Sequence, residues 1–424
     1  MELSKNIKLN ELRNSFSTEN LISKTKGDKV IWALVVLLTL VSLLAVYSAT
    51  GSLAYKNYKG NTEIFLLKQI IFIGAGILVI YFAHLVNYTF YSRVAKIAFL
   101  ISLPLLFYTL FFGVKMNEGS RWIRLPLINM TMQTSDLAKL SLFMYLARLL
   151  SKKQDVIRDF KKGFLPVIAP VLLTCLLIAP ANLSTALLLG ASCLMLLFIG
   201  RVRTRHIMLV IMIAAIPILF LVTAAMIRHG KTSGKEVAAT ETVVKKSGGL
   251  FGRVDTWIGR MESFIYGSKE TDNDAYQVNQ AKIAIAKGGV FGAGPGNSTT
   301  RDYLPQAYND FIYAIIIEEY GLMGGAFIMF IYLVFLYRCI RIFKRCPFAF
   351  GAFLALGLSF TLAIQAVANM AVTVNLFPVT GVTLPLVSMG GTSFIFTCLA
   401  IGIILSVARN VEQIEGKSTE AFEK

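Results

Sequence analysis

The chain has 424 residues, of which 55% are hydrophobic and only 16% are charged, and its formal net charge is +18 at pH 7. Soluble domains carry about 25% charged residues, whereas apolar runs of about 18 or more residues, each long enough to cross a hydrocarbon layer, recur along this chain. The basic residues lie in short clusters between these runs, as in the cytoplasmic loops of membrane proteins, so the composition predicts a protein surrounded by membrane lipid and excludes nucleic acid as its partner.

Hydropathy predicts an all-α polytopic membrane protein with about ten transmembrane helices. In chain order the predicted spans are about 30–50, 65–86, 95–114, 133–151, 164–180, 183–200, 206–227, a span within 311–338, then 348–371 and 393–408. We therefore expect a cytoplasmic basic tail over 1–29, a membrane domain over 30–408 and a second cytoplasmic tail over 409–424.

The distribution of basic residues predicts the orientation. Ten spans place both termini on one side, and Lys and Arg in the N-terminal tail and in four short loops assign that side to the cytoplasm. The longest loop, 228–309, then lies outside the cell between spans 7 and 8. A loop of this length is more often functional than incidental.

Asp310 stands where the polar sequence of this loop meets the apolar run 311–337. As a helix that run is ~40 Å long, which exceeds the ~30 Å hydrocarbon core. Counting back from Arg338 places Glu318 and Glu319 near the outer headgroups, where they could form a satisfied interfacial pair, and Asp310 at the outer surface. Two interpretations stay open: Asp310 caps the helix N-terminus, or it serves chemistry at the membrane boundary.

Lys139 is predicted to lie inside the hydrocarbon, ~20 Å above an inner edge at Lys152. A buried cation is expensive and is usually paired or lines a polar cavity. Asp136, three residues earlier, shares its helix face. Two interpretations of Lys139 therefore stay open: it forms an internal ion pair with Asp136, or it binds a phosphate group. Arg121, beside Trp122 in the preceding outer loop, suits an anionic headgroup at an interface.

Residues 375–394, NLFPVTGVTLPLVSMGGTSF, are apolar, but their prolines and glycines prevent a regular helix. Non-helical backbone at membrane depth is tolerated only where it is buried in protein or lines a cavity. The segment predicts a re-entrant loop over a substrate cavity, with a packed connector as the alternative.

Five motifs in this order resemble the shape, elongation, division and sporulation (SEDS) family over most of residues 30–410. They are GSRWIRLP, QTSDLAKL, YQVNQAKIAIAKGGVFGAGPGN, YLPQAYNDFIYAIIIEEYGLMGG and NLFPVTGVTLPLVSMGGTSF. GSRWIRLP and the basic N-terminal extension favour the division-type member over the elongation type. The chain departs from the family in the turn PANLS, where Asn182 occupies the place of an acidic residue.

The resemblance implies a peptidoglycan glycosyltransferase that polymerises lipid II at the outer face of the bacterial cytoplasmic membrane. It also implies two kinds of partner, a class B penicillin-binding protein that acts as transpeptidase and other division proteins. The family's essential aspartate of the large loop maps onto Asp310, and its conserved acid and lysine of the fourth span map onto Asp136 and Lys139.

This reaction joins the 4-hydroxyl of an acceptor sugar to the anomeric carbon of a donor, and a lipid pyrophosphate leaves. A base must take the hydroxyl proton, and positive charge must stabilise the pyrophosphate. Asp310 is expected as the base or as the ligand of a divalent cation, Mg2+ or Mn2+. The residues expected to contact substrate are Arg121, Lys139, Asp136, Gln277, Gln280 and Ser388.

A flippase or transporter of lipid-linked precursors is the main alternative, because buried charge and broken segments also occur in transporters. The sequence has no evident inverted repeat, and its longest loop lies outside, which favours an outward-facing reaction. A third interpretation is a scaffold that only recruits division proteins, for which Asp310→Asn would be silent.

Overall fold

The computed structural model describes residues 27–51, 62–116, 119–124, 131–233, 250–266, 273–304 and 307–422. This part of the chain forms twelve α-helices and three short strands. In chain order they are α1 (Lys29–Ala49), α2 (Glu63–Leu85), α3 (Tyr88–Phe112), β1 (Val114–Met116), β2 (Gly119–Arg124), β3 (Thr131–Gln133), α4 (Thr134–Lys152), α5 (Leu165–Ile178), α6 (Leu183–Ile199), α7 (Thr204–Ser233), α8 (Leu250–Tyr266), α9 (Asn273–Gly288), α10 (Ile312–Arg345), α11 (Ala349–Thr373) and α12 (Thr392–Phe422).

The all-α polytopic class is confirmed. Within the described residues, eight helices are long and apolar enough to cross a membrane: α1, α2, α3, α5 with the turn before it, α7, α10, α11 and α12. Helix α6 is apolar but has 17 residues, and α4 carries charged residues, among them Asp136 and Lys139. A helix therefore stands at each predicted span, while the number that crosses the bilayer stays a prediction.

The segment expected as one long polar loop, 228–309, contains two helices in its described part. Helix α7 extends to Ser233, α8 packs against α7, and α9 packs against α10. The second difference lies at the C-terminus, where α12 continues to Phe422 through most of the expected tail 409–424. The basic tail predicted over 1–29 falls almost entirely outside the described residues.

A three-stranded antiparallel sheet of order β1-β2-β3 stands where an irregular outer loop was expected. Trp122 on β2 lies opposite Val114 on β1 and Gln133 on β3. The strands have three to six residues, too few for an alternating pattern to be recognised. Because β3 leads directly into α4 at Thr134, the sheet fixes where α4 begins.

Helix α11 is the central helix of the bundle. Its most apolar 18-residue window is 78% buried inside the protein, against 11% for α7. It packs against α4, α6, α10 and α12, and Gly357 allows a close approach, since a Cβ there would lie 2.8 Å from Phe143 of α4. Polar side chains on α11 are therefore held rigidly at the middle of the molecule.

Candidate functional site

Helix α10 is broken at Gly321, whose φ of 70° and ψ of −176° are not helical. The break frees the carbonyls of Glu318 and Glu319, which accept hydrogen bonds from backbone amides of the glycine-rich segment 289–294 at 2.9 and 3.0 Å. In return the amide of Leu322 donates to a carbonyl of the same segment at 2.9 Å. The glycine-rich segment thus replaces the hydrogen bonds that the helix loses.

This exchange requires backbone to lie directly against backbone. A Cβ on Gly321 would lie 2.1 Å from the oxygen of Val290, and a Cβ on Gly292 would lie 2.2 Å from the oxygen of Glu319. Both glycines also have positive φ angles, which side chains rarely adopt. Gly292 of GGVFGAGPGN, like Gly321 of α10, is therefore required by this close packing.

The buried carboxylate of Glu318 fastens the turn that follows this segment. It accepts hydrogen bonds from the hydroxyls of Ser298 at 2.5 Å and Thr300 at 2.9 Å, and from two backbone amides, of Thr299 and Thr300, at 3.2 Å each. Glu319 is also buried and accepts from the hydroxyl of Ser48 on α1. The two glutamates thus form a satisfied pair that holds the long loop against the bundle.

Asp310 lies between this fastened turn and the start of α10, partly buried. The interpretation that it is the N-cap residue of the helix is wrong, because that position is occupied by Phe311. The backbone oxygen of Asp310 accepts a hydrogen bond from Nδ2 of Asn369 at 2.7 Å, and the same nitrogen donates to the oxygen of Val382 at 2.8 Å. One buried amide on α11 therefore joins Asp310 to the segment between α11 and α12.

That segment, expected as a re-entrant loop, is non-helical, and Leu384 to Ser388 within it are buried. The hydroxyl of Ser388 donates to the oxygen of Asn309 at 2.6 Å and accepts from the amide of Leu384 at 2.8 Å. The amide of Met389 donates to the oxygen of Tyr308 at 3.1 Å. The loop thus contacts the residues before Asp310 directly, and Ser388, predicted to contact sugar, holds these two segments together.

Tyr308 adds a hydrogen-bond donor beside Asp310. Burial raises the pKa of its hydroxyl, and the nearby Asp310 carboxylate raises it further. The phenol therefore stays protonated at neutral pH. It offers a neutral donor next to the Asp310 carboxylate, which suits the recognition of a polar ligand.

Lys139 forms the predicted ion pair with Asp136, with 2.8 Å between Nζ and Oδ1. The two side chains are 14% and 5% exposed, so the pair lies inside the protein. Lys139 also lines two neighbouring pockets, and Thr361 and Gln365 of α11 line both of them as well. The larger pocket, about 390 Å³ and open to the surface, lies between α4, α11 and α12.

Two amides on α11 connect the Lys139 pockets with Asp310. Gln365, which lines both pockets, donates to the oxygen of Thr383 at 3.0 Å, and Asn369, which holds Asp310, lies four residues further on. Residues at this spacing share a helix face about 6 Å apart along the axis. One face of α11 thus lines the Lys139 pockets through Gln365 and holds the backbone of Asp310 through Asn369, and both amides also bond the segment between α11 and α12.

The remaining residues singled out from the sequence lie on α9, on β2 and at the start of α6. Gln277 and Gln280 lie partly buried on α9, which packs against the start of α10 through Ala281 and Ala284. The backbone of Arg121 lies in β2, while its side chain falls outside the described part of the structure. Asn182 is buried and caps α6, accepting from the amide of Thr185 at 3.2 Å.

The residues that could hold a divalent cation are few. Among the described residues no group of three or more His, Cys, Asp or Glu side chains could hold a metal. Mg2+ is often bound by one or two carboxylates together with substrate phosphates. Asp310 therefore fits a cation site that a bound pyrophosphate would complete, and it does not fit a site built from protein ligands alone.

The sequence interpretation missed Gln365 and Asn369. The sequence contains a signal that could have identified them, since both are polar amides one helical turn apart in the apolar run AIQAVANMAV. Polar residues inside a membrane span usually face the bundle interior and have a partner or a function. Their partners are backbone carbonyls of a distant loop, which no local pattern specifies.

The chain is similar in sequence to proteins of a known family. A family model covering FtsW, RodA and SpoVE, described as cell cycle protein, matches residues 28–413. Stage V sporulation protein E of Bacillus subtilis is 32% identical, over 91% of this chain and 98% of that protein. The probable peptidoglycan glycosyltransferase FtsW of Trichlorobacter lovleyi is 33% identical, over 91% and 94% of the two chains.

Solved structures show the same fold. A chain of a peptidoglycan synthase complex, studied for the coordination of polymerization and crosslinking, superposes with a TM-score of 0.67 at 20% identity, over 91% of this chain and 99% of that chain. The rod shape determining protein RodA of Thermus thermophilus superposes with a TM-score of 0.61 at 21% identity, over 91% and 97%. The predicted SEDS resemblance is confirmed.

Proposed function

The chain belongs to the FtsW, RodA and SpoVE family of cell cycle proteins, and we propose that it is a peptidoglycan glycosyltransferase of the FtsW type. It is a multi-pass membrane protein, and its relatives at 33% identity bear that name. Its substrate is lipid II, the isoprenoid-linked disaccharide-peptide, which it polymerises at the outer face of the cytoplasmic membrane with both of its own termini in the cytoplasm.

One observation carries this proposal: Asn369 of α11 holds the backbone of Asp310, and Gln365, one helical turn away on α11, lines the same pockets as Lys139. A glycosyl transfer from a lipid pyrophosphate needs a base for the acceptor hydroxyl and positive charge for the leaving group. Asp310, partly exposed at the loop, takes the proton. Lys139, in the pocket below, attracts the pyrophosphate, with Asp136 setting its position.

A divalent cation, Mg2+ or Mn2+, is part of the proposal. Asp310 is the side chain that would hold it, and the phosphates of the substrate would complete its coordination. The ion would supply positive charge to the departing pyrophosphate. Arg121 on the sheet and Gln277 and Gln280 on α9 are the proposed contacts to the sugar-phosphate region.

The proposed partner is a class B penicillin-binding protein. The support is the likeness in fold to a chain from a complex that coordinates polymerization and crosslinking. The relatives named FtsW favour septal synthesis in cell division, with other division proteins as further partners.

The test is glycan polymerisation by the purified full-length protein with lipid II and a divalent cation, with and without the transpeptidase partner. Asp310→Ala should remain folded and make no polymer. Asp302→Ala is the matched control, because Asp302 is an exposed carboxylate of the same loop, with 55% of its side chain accessible, and it should polymerise normally. Polymer from Asp310→Ala at the unmodified rate would refute the catalytic assignment.

A flippase would behave differently in the same preparation. Liposomes that carry lipid II distinguish the two activities, because an enzyme yields polymer and a flippase moves lipid II between leaflets without polymer. Translocation in the absence of polymer, with the partner present, would contradict the proposed function as a whole. A silent Asp310→Asn would instead favour a scaffold.

A further inference from the structure

Helix α8 is the amphipathic helix in the described part of the long loop. At 100° per residue, the apolar side chains from Val254 to Ile265 fall within an arc of about 120°, and the polar side chains of this stretch occupy the opposite side. The members of the apolar arc whose side chains are described are Val254, Trp257, Ile258, Met261, Phe264 and Ile265. Five of these six side chains are partly buried in the described part of the structure, none is fully buried, and Ile265 is 43% exposed.

The apolar arc is turned away from the neighbour that holds α8. Among the described elements, only α7 packs extensively against α8. Residues outside the arc contact α7: Glu262 lies 3.6 Å from both Arg228 and His229, and Tyr266 stacks on His229 with 3.9 Å between ring centroids. Glu262 and Tyr266 lie outside the apolar arc, so these contacts orient α8 without covering the arc.

The level of this attachment identifies the occupant. The apolar run of α7 ends at Ile227, so Arg228 and His229, which hold α8, stand where that run gives way to polar sequence, at the edge of the hydrocarbon. A helix fastened at this level lies beside the headgroups. Its Trp257 and Tyr266 are residue types that concentrate at membrane interfaces, and a helix with a clean apolar side binds there with that side about 5–10 Å into the headgroup and acyl boundary.

We propose that α8 is an interfacial helix whose apolar arc lies in the lipid leaflet beside the end of α7. This inference goes beyond the proposed enzymatic function and does not depend on it. An α8 seated in this way fixes the part of the long loop that precedes α9 and holds it at the membrane surface.

The test uses the fluorescence of Trp257 in the full-length protein. The chain has three tryptophans, so Trp32→Phe with Trp122→Phe leaves Trp257 as the reporter. The protein is reconstituted in nanodiscs of phosphatidylcholine and phosphatidylglycerol brominated at a shallow or a deep acyl position. Trp257 should lose most of its emission with shallow bromines and less with deep ones, and aqueous acrylamide should quench it weakly.

Gly259 provides the matched control, because it lies on the polar side and a Cβ there meets no atom within 4 Å. With Trp257→Phe added, Gly259→Trp moves the reporter two residues along the same helix to the opposite side. Its emission should be quenched by acrylamide and little by bromolipids. Equal quenching of both reporters, or acrylamide-accessible Trp257 without bromolipid quenching, would overturn the proposal, and the second outcome would indicate that the arc faces water or a partner protein.

Discussion

The side-chain amide of Asn369 donates two hydrogen bonds, to the backbone oxygen of Asp310 at 2.7 Å and to that of Val382 at 2.8 Å. Asn369 is 1% exposed and lies on the central helix α11. The position of Asp310 is therefore set by the core of the bundle, and not only by the long loop that carries it.

Asn369→Leu should lower the rate of polymerisation about 10- to 100-fold, because small displacements of a reacting group have effects of this size. It removes the donor from two carbonyls, at a cost of about 1–3 kcal/mol for each buried group left unsatisfied. The measurement is initial rate against lipid II concentration, and kcat should fall more than KM changes. Val367→Ala, at an exposed position of the same helix, is the control and should be near wild type. A folded Asn369→Leu protein with normal kcat would show that Asp310 does not depend on this bond.

The Asp136–Lys139 pair allows a structural role to be separated from a catalytic one. Lys139→Met leaves a buried carboxylate without its cation, which costs about 3–5 kcal/mol, and both melting temperature and activity should fall. Adding Asp136→Asn removes the unpaired charge and should restore most of the melting temperature. If Lys139 attracts pyrophosphate, polymerisation stays lost in the double variant. Recovery of both properties would make the pair purely structural.

The sequence predicted the helices well because each span is recognised from its own hydropathy, without knowledge of the helices against which it packs. It also identified Asp310, Asp136 and Lys139, since charge near or inside an apolar run is expensive wherever the run packs. The features that it did not predict depend on contacts between segments that are far apart in the chain. The break at Gly321 exists because segment 289–294 supplies the missing hydrogen bonds, and Asn369 acquires its role only when the loop after α11 folds back.

Glu318 should be needed to hold the loop rather than for chemistry. Glu318→Leu removes the acceptor from the hydroxyls and amides of residues 298–300, each bond to a charged group contributing about 1.5–3 kcal/mol. Limited proteolysis should then cut the segment around 296–304 faster, and polymerisation should fall. Glu318→Gln keeps one acceptor oxygen and should be milder in both assays. Equal protease resistance of Glu318→Leu and the unmodified protein would contradict the anchoring role.

Gly321→Ala should be among the most damaging single changes in the chain, although it adds one methyl group. Its φ of 70° is unfavourable for alanine, and the new Cβ would lie 2.1 Å from the oxygen of Val290, so the glycine-rich segment must separate from α10. We expect a lower melting temperature and loss of polymerisation. Gly74→Ala is the matched control, since a Cβ there meets nothing within 4 Å and alanine is favoured over glycine in a helix by roughly 0.5–1 kcal/mol. If Gly321→Ala were as well tolerated as Gly74→Ala, the break in α10 would not be held by contact with segment 289–294, and the long loop would have to be positioned by its other contacts, those of Glu318 and Asn369 among them.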